Sequence, residues 1–427
     1  MKDEKTSRRE RRRRRLRNQL LAYLILIVII VLILVAGYFG VKGVLRYLND
    51  YNDKVNRVIE EAESSVAAEQ DSEPYIEEVQ SVGIERNEEY MSPVDEDPLN
   101  SLIESLLSGM TTEEMVAGMF IVSPESITGV GTVVQAGEGT KAAITQNPVG
   151  GLVYASKNFN SPEQFAQMLA KTKSFAKYPV FAVVRAECGT SEYGLETTAK
   201  ASELSDTDSV RQVYGSIAAT LASYGVNMNL APVADIVSEE GEASLQGRAF
   251  GSDASVAAPL VNTAVQAMQE AEVSAVLQKF PGADAASKSL EELNNSEFVV
   301  YAMAIQNGVD CIMVSHSRAS GVTGDDTPSS LSSMMINDVL RNTLGFDGVV
   351  MTDALDDSAI TENYSSAEAA VAAIQAGADL LLLPENYQEA YEGVLQAVSD
   401  GTIMPERIYD SLYRIYRVKY QNAVNAF

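Results

Sequence analysis

The chain reads as an α/β protein, a (β/α)8 TIM-type barrel preceded by one transmembrane helix and a helical, then acidic stalk. Three observations predict this: one long uncharged apolar run near the N-terminus, an acid-rich stretch after it, and eight short apolar runs alternating with helical patterns to the end. With 427 residues and 46% hydrophobic side chains, a large core is within reach and global disorder is excluded. The expected organisation is a basic cytoplasmic tail over 1–18, a transmembrane helix over 19–41, a stalk over 42–97 and the barrel over 98–427.

Residues 1–18 carry ten Lys and Arg against three acids, a net of +7. The chain as a whole is at −27, so the remainder stands near −34. The run Leu20–Val41 has no charge over 22 residues, about the 30 Å of a bilayer core. Arginines directly before it place the N-terminus in the cytoplasm and the rest outside, so the expected location is the cell membrane, single-pass, with an extracytoplasmic barrel. A cleaved signal peptide would have a shorter apolar core and a small-residue cleavage site. From Lys42 to Gln70, Val44, Leu45, Leu48, Val55, Val58 and Ile59 follow a helical period without a sustained heptad. Residues 71–97 are mostly acids and scattered apolar positions, the composition of a solvated tether.

The eight apolar runs are Val116–Ser123, Gly151–Ser156, Val180–Val184, Val226–Ile236, Ser274–Phe280, Asp310–His316, Gly348–Asp353 and Ala378–Leu383. Helical stretches such as SPEQFAQMLAKTKSFAK and DSVRQVYGSIAATLASYG separate them. Continuous apolar strands between helices make a parallel sheet buried on both faces, and eight repeats fit a closed barrel better than an open doubly wound sheet. No GxGxxG turn follows the first strand, against dinucleotide binding. Chemistry in a barrel sits at the strand C-terminal ends. Here those ends offer Lys157, Asn158, Arg185, Glu187, Asn229, Asp235, Gln278, Lys279, Ser315, His316, Asp353 and Glu385, with Arg248 in the loop after strand 4. Cations, amides and carboxylates around one mouth suit a polyhydroxylated ligand.

Composition excludes other chemistries. Two cysteines, Cys188 and Cys311, make no disulfide framework and are expected as buried thiols. A single histidine, His316, leaves no mechanism needing two imidazoles. The pair Asp356-Asp357 reads as a helix cap and not as a metal site, so neither metal nor cofactor is expected. An exported part this acidic repels phosphates, and nucleic acid is not expected as a partner.

Several segments resemble glycoside hydrolase family 3, in its single-domain β-N-acetylhexosaminidase branch. They are MTTEEMVAGMFIVSPES, VGGLVYASKNFNSPEQF, NLAPVADI, GRAFGSD, GVDCIMVSHS and TPSSLSSMMINDVLRNTLGFDGVVMTDAL, in order over about residues 101–420. The resemblance implies retaining hydrolysis of N-acetylglucosaminides by double displacement. It puts the catalytic nucleophile at Asp353, in Met351-Thr352-Asp353-Ala354-Leu355, and Arg248 of GRAFGSD at the ligand.

Two departures bear on activity. The branch's strand-5 motif, Lys-His-Phe-Pro-Gly-His-Gly, precedes a loop whose Asp-x-His dyad supplies the acid/base. This chain reads Gln278-Lys279-Phe280-Pro281-Gly282-Ala283, followed by a short loop without histidine. His316, on strand 6, is expected to line the site or to serve structure. After strand 3 the family's sugar-binding acid, two before Glu-Gly-Gly, is Arg185 in Arg185-Ala186-Glu187-Cys188-Gly189. A guanidinium only donates, so the sugar loses an acceptor there, and Arg185 is placed to pair with Asp353 or Glu187. Asp284, Glu291 and Glu292 are the acids near enough in sequence to replace the lost one.

The expected substrate-binding set is therefore Arg185, Glu187, Arg248, Gln278, Lys279 and His316. Three functions remain: an altered glycosidase on N-acetylglucosamine-containing glycan, a non-catalytic pseudo-glycosidase that binds such a glycan, and a platform for a protein partner.

Overall fold

The computed structural model describes residues 98–236, 245 and 247–424. The basic tail, the 19–41 membrane segment and the 42–97 stalk lie outside them. Among the described residues no helix is long and apolar enough to cross a membrane.

Each of the eight apolar runs contains one strand: β1 Phe120–Val122, β2 Gly151–Val153, β3 Phe181–Val184, β4 Met228–Asn229, β5 Ser274–Phe280, β6 Cys311–Val314, β7 Val349–Thr352 and β8 Leu381–Leu382. All pair in parallel in the order β7-β6-β5-β4-β3-β2-β1-β8. A parallel bridge between Met351 and Leu380, with the Thr352 amide donating to the Leu380 carbonyl at 3.0 Å, brings β7 against β8. The result is a (β/α)8 barrel. Strand residues such as Phe120, Ile121, Val183, Val276, Met313 and Val350 are wholly buried, as a sheet covered by side chains inside and helices outside requires.

Some boundaries moved. The first run begins inside a helix, Thr112–Gly118, whose capping box joins Thr111 to Glu114. The fourth forms a strand only at Met228 and Asn229; beyond them, residues to Ile236 are irregular, with one bridge from Val233 to Gln278. Close strand approach also needs glycine: a β-carbon on Gly150 would lie 2.1 Å from the Gly118 carbonyl oxygen. Helices between strands start at side-chain caps, Ser161 before Pro162–Phe175 and Asp206 before Thr207–Tyr224.

At the opposite end of β8 from the mouth, Asp379 is fully buried, with Arg341, Arg407 and Arg414 around it. Each of these arginines also donates to backbone carbonyls, Phe346, Ala378 and Asp410 among them. This cluster ties the C-terminal helix Pro405–Val424 under the barrel. Both cysteines are buried free thiols, and burial pushes Cys188 up to about 11.

Candidate active site

Asp353 follows β7 directly. Its amide donates to the Val314 carbonyl at 2.9 Å, which holds the residue at the strand end, and its Oδ1 accepts from the Ala354 amide at 2.9 Å. Two cations flank the carboxylate. Arg185 Nη2 lies 3.9 Å from Oδ1, and Lys279 Nζ lies 3.6 Å from Oδ2. Arg185 is half exposed and comes from the end of β3. Lys279 arrives by an irregularity in β5: the ladder to β6 shifts between Leu277 and Phe280, and Lys279 has φ +82. A non-glycine residue there is strained by about 1–3 kcal/mol, which the surrounding packing must supply.

Beside this trio lies a closed polar network. Glu187 is buried and receives both arms of Arg248, Nε at 2.5 Å and Nη2 at 2.6 Å. Gln278, also buried, donates to Glu187 at 3.1 Å and to the Leu230 carbonyl. Arg185 therefore faces Asp353, and Glu187 belongs to Arg248. In the fork-to-carboxylate geometry, Glu187 accepts three hydrogen bonds, so the pair is locked in place.

His316 is spent on structure. Its Nε2 lies 2.8 Å from the Ala354 carbonyl, which only accepts, so Nε2 carries the proton. Nδ1, 2.7 Å from the Ser330 hydroxyl, then accepts. Both ring nitrogens are engaged, Nε2 with the backbone next to Asp353 and Nδ1 with the Ser330 side chain.

The short loop after β5 is pinned as well. Lys288 pairs with the buried Glu297, and Glu292 accepts from the Ser289 amide at 2.7 Å as part of a capping box. Glu292 is thus a helix cap, while Asp284 and Glu291 are exposed to solvent. Gly282 turns the loop at φ +124; a β-carbon there would come 2.8 Å from Glu297 Cγ. Beneath it Asp235 accepts from the Ala283 amide at 2.9 Å, and its second oxygen is buried without a partner among the described residues. Burial pushes this carboxyl up to about 6.

A cavity of about 760 Å³ opens at the mouth between the ends of β1 to β4 and β7–β8. Arg185, Glu187, Arg248, Lys157 and Asn158 line it, with Glu125 and Lys200, which carried no expected role, and Asp356, expected only as part of a helix cap. Glu125, after β1, accepts from the Val133 amide and from Asn158 Nδ2 on one oxygen. Its other oxygen is buried without a hydrogen-bond partner among the described residues, 3.7 Å from Lys157 Nζ. The rule that reads strand ends would have found it had β1 been included. Asp356 has its carboxyl pushed upward by burial and then by the neighbouring Asp357, Asp353 and Glu385, while Asp357 caps the next helix at the Ala359 amide. Asn229 and Asn227 are absorbed by structure, Asn229 bonding both amide and carbonyl of Ala186, and Asn227 bonding the Ala182 amide.

Comparison with known proteins decides the ancestry. The model of the "Glycosyl hydrolase family 3 N terminal domain" matches residues 111–418. The chain belongs to glycosyl hydrolase family 3. A "Beta-N-acetylglucosaminidase/beta-glucosidase" of Cellulomonas fimi is 30% identical over 279 residues, 60% of this chain and 50% of that protein. A "Beta-hexosaminidase" of Hydrogenovibrio crunogenus is 27% identical over 259 residues, 55% of this chain and 71% of the relative. The structure of a family 3 β-N-acetylglucosaminidase from Paenibacillus sp. str. FPU-7 superposes with TM-score 0.68 at 30% identity, covering 75% of this chain and 64% of that one. "M tuberculosis LpqI" shares the fold, with TM-score 0.66 at 24% identity, covering 74% and 96%. The chain spans about half the length of the Cellulomonas fimi relative. Family and barrel are those of hexosaminidase-like glycoside hydrolases.

Proposed function

We propose that this protein is a membrane-anchored family 3 barrel that binds an N-acetylglucosamine-containing glycan of the cell envelope and hydrolyses it slowly, for want of a general acid. The observation that carries this reading is the state of the proton donors. The only imidazole in the chain has both nitrogens engaged, and the loop after β5 is tied down by Lys288–Glu297 and the Ser289–Glu292 cap. The nucleophile position is retained. In a retaining reaction Asp353 would attack the anomeric carbon and release the aglycone oxygen, which leaves poorly unless it is protonated. General acid catalysis contributes about 10²–10⁴ in rate, and the flanking cations Arg185 and Lys279 favour a carboxylate that stays paired.

The cavity supports binding. It is open, and half of the Arg185 side chain is in solvent, where a ligand in the cavity can reach it. The arginine-led apolar run before the stalk supports anchoring, with the barrel on the outer face.

The test is hydrolysis of an activated aryl β-N-acetylglucosaminide by the wild-type chain beside Asp353→Asn. Release that disappears in Asp353→Asn is expected, with an unactivated alkyl glycoside turned over far more slowly. Release that survives the substitution overturns the role of Asp353, and efficient turnover of the alkyl glycoside overturns the slow reading.

A further inference from the structure

The two ends of the cavity ask for different chemistry in one ligand. Arg185 presents five N–H donors, yet among the described residues its guanidinium makes no hydrogen bond, and its nearest acid oxygen is the 3.9 Å one on Asp353. Asp353 does not depend on it for a counter-charge, because Lys279 holds the other oxygen at 3.6 Å. Arg248, the other guanidinium in the wall, has its Nε and Nη2 arms committed to Glu187, with a longer bond from Nη2 to Gln278. On the β1 side of the same cavity, Glu125 offers a buried carboxylate oxygen that accepts no hydrogen bond from a described residue.

We propose that the glycan held in this cavity carries a carboxylate, bound by the Arg185 guanidinium, with a hydroxyl donating to Glu125. This deepens the proposed function, resting on the same mouth being a sugar site. A neutral sugar hydroxyl could occupy the Arg185 side, but it would use one of several donors and leave the planar fork unmatched. A carboxylate takes two parallel N–H bonds from that fork. The acceptor for hydroxyl hydrogens then lies across the cavity at Glu125. A carboxylate attached at the sixth carbon of a hexose and one carried on an ether arm present the same group, and both are tested.

The experiment is ligand titration by calorimetry on the full chain, purified in a detergent without a sugar headgroup. The probes are D-glucuronate, N-acetylmuramate, D-glucose, N-acetylglucosamine and glucose 6-phosphate. At least one carboxylate sugar is expected to bind about ten-fold or more tighter than its neutral counterpart, the worth of one charge-assisted bond. Arg185→Gln should remove about ten-fold from that affinity while changing the neutral sugars by less than about two-fold; Arg185→Lys should recover part of it. Glu125→Gln should weaken acidic and neutral sugars alike. The inference is overturned if neutral sugars bind as tightly as acidic ones, if Arg185→Gln leaves the preference intact, or if only the phosphate binds. Absence of binding by every sugar would overturn the inference together with the sugar site of the proposed function, whereas tight neutral binding leaves that site standing.

Discussion

Substituting Glu187 by Gln isolates the network that shapes the cavity wall. In the native barrel, the carboxylate takes two short bonds from Arg248 and one from Gln278. Glutamine keeps one acceptor but turns the other into a donor facing the guanidinium. Breaking one side of a buried ion pair costs about 3–5 kcal/mol because a charge is stranded. Arg248 keeps 31% of its side chain in solvent, so water recovers part of this and about 2–3 kcal/mol is expected. With a urea dependence of about 3 kcal/mol/M, the unfolding midpoint should fall by about 1 M. A double-mutant cycle with Arg248→Met should return a coupling of about 2 kcal/mol, little changed by salt because the pair is largely buried. A single-mutant loss below about 0.5 kcal/mol, or a coupling near zero, would refute the view that this pair holds the wall.

Other expectations follow from single groups. Asp235 has a folded value of about 6 against about 3.9 unfolded, so the folded state binds the extra proton between these values. Its contribution to stability is therefore lost as pH rises from about 4 through 6, by up to about 3 kcal/mol. The difference in unfolding free energy between Asp235→Asn and the wild type should grow over that window and level off above pH 7. His316→Ala leaves the Ala354 carbonyl without its donor, and thermal unfolding should show a loss of about 1–2 kcal/mol. Any Asp353-dependent release should keep the shape of its pH profile in that variant, since the imidazole transfers no proton.

How far the sequence could be read differs between scaffold and site. All eight strands lay inside the apolar runs, because a strand buried on both faces leaves an unbroken apolar signature; Phe120, Val183 and Met313 show no alternation to hide it. The end of β4 misled by length, since residues after Asn229 remain apolar but meet the neighbouring strand only through the isolated Val233–Gln278 bridge. That the loop after β5 holds no histidine and that position 185 is an arginine were also legible, being matters of residue identity. The division of partners was not. Arg185 had two carboxylates in reach, and only the fold gives Glu187 to Arg248 and leaves Arg185 beside Asp353. Nor did residue types reveal the φ of +82 that brings Lys279 to Asp353, because that conformation accompanies the shift in the β5–β6 ladder and not a glycine. Glu125 was hidden by an ordinary Ser-Pro-Glu helix start, whose acid turns out to tie the Val133 segment and Asn158 to the mouth.

The proposed want of a general acid is tested most directly by leaving-group dependence. A dinitrophenyl β-N-acetylglucosaminide needs almost no protonation to depart, whereas a methyl glycoside needs it fully. The wild-type chain should release dinitrophenol in a reaction abolished by Asp353→Asn, and should cleave the methyl glycoside at a rate lower by at least the roughly 10²–10⁴ that an acid supplies. Comparable rates on both substrates would contradict the account, and their loss in Asp356→Asn would assign the missing acid to the upshifted carboxyl at the cavity wall.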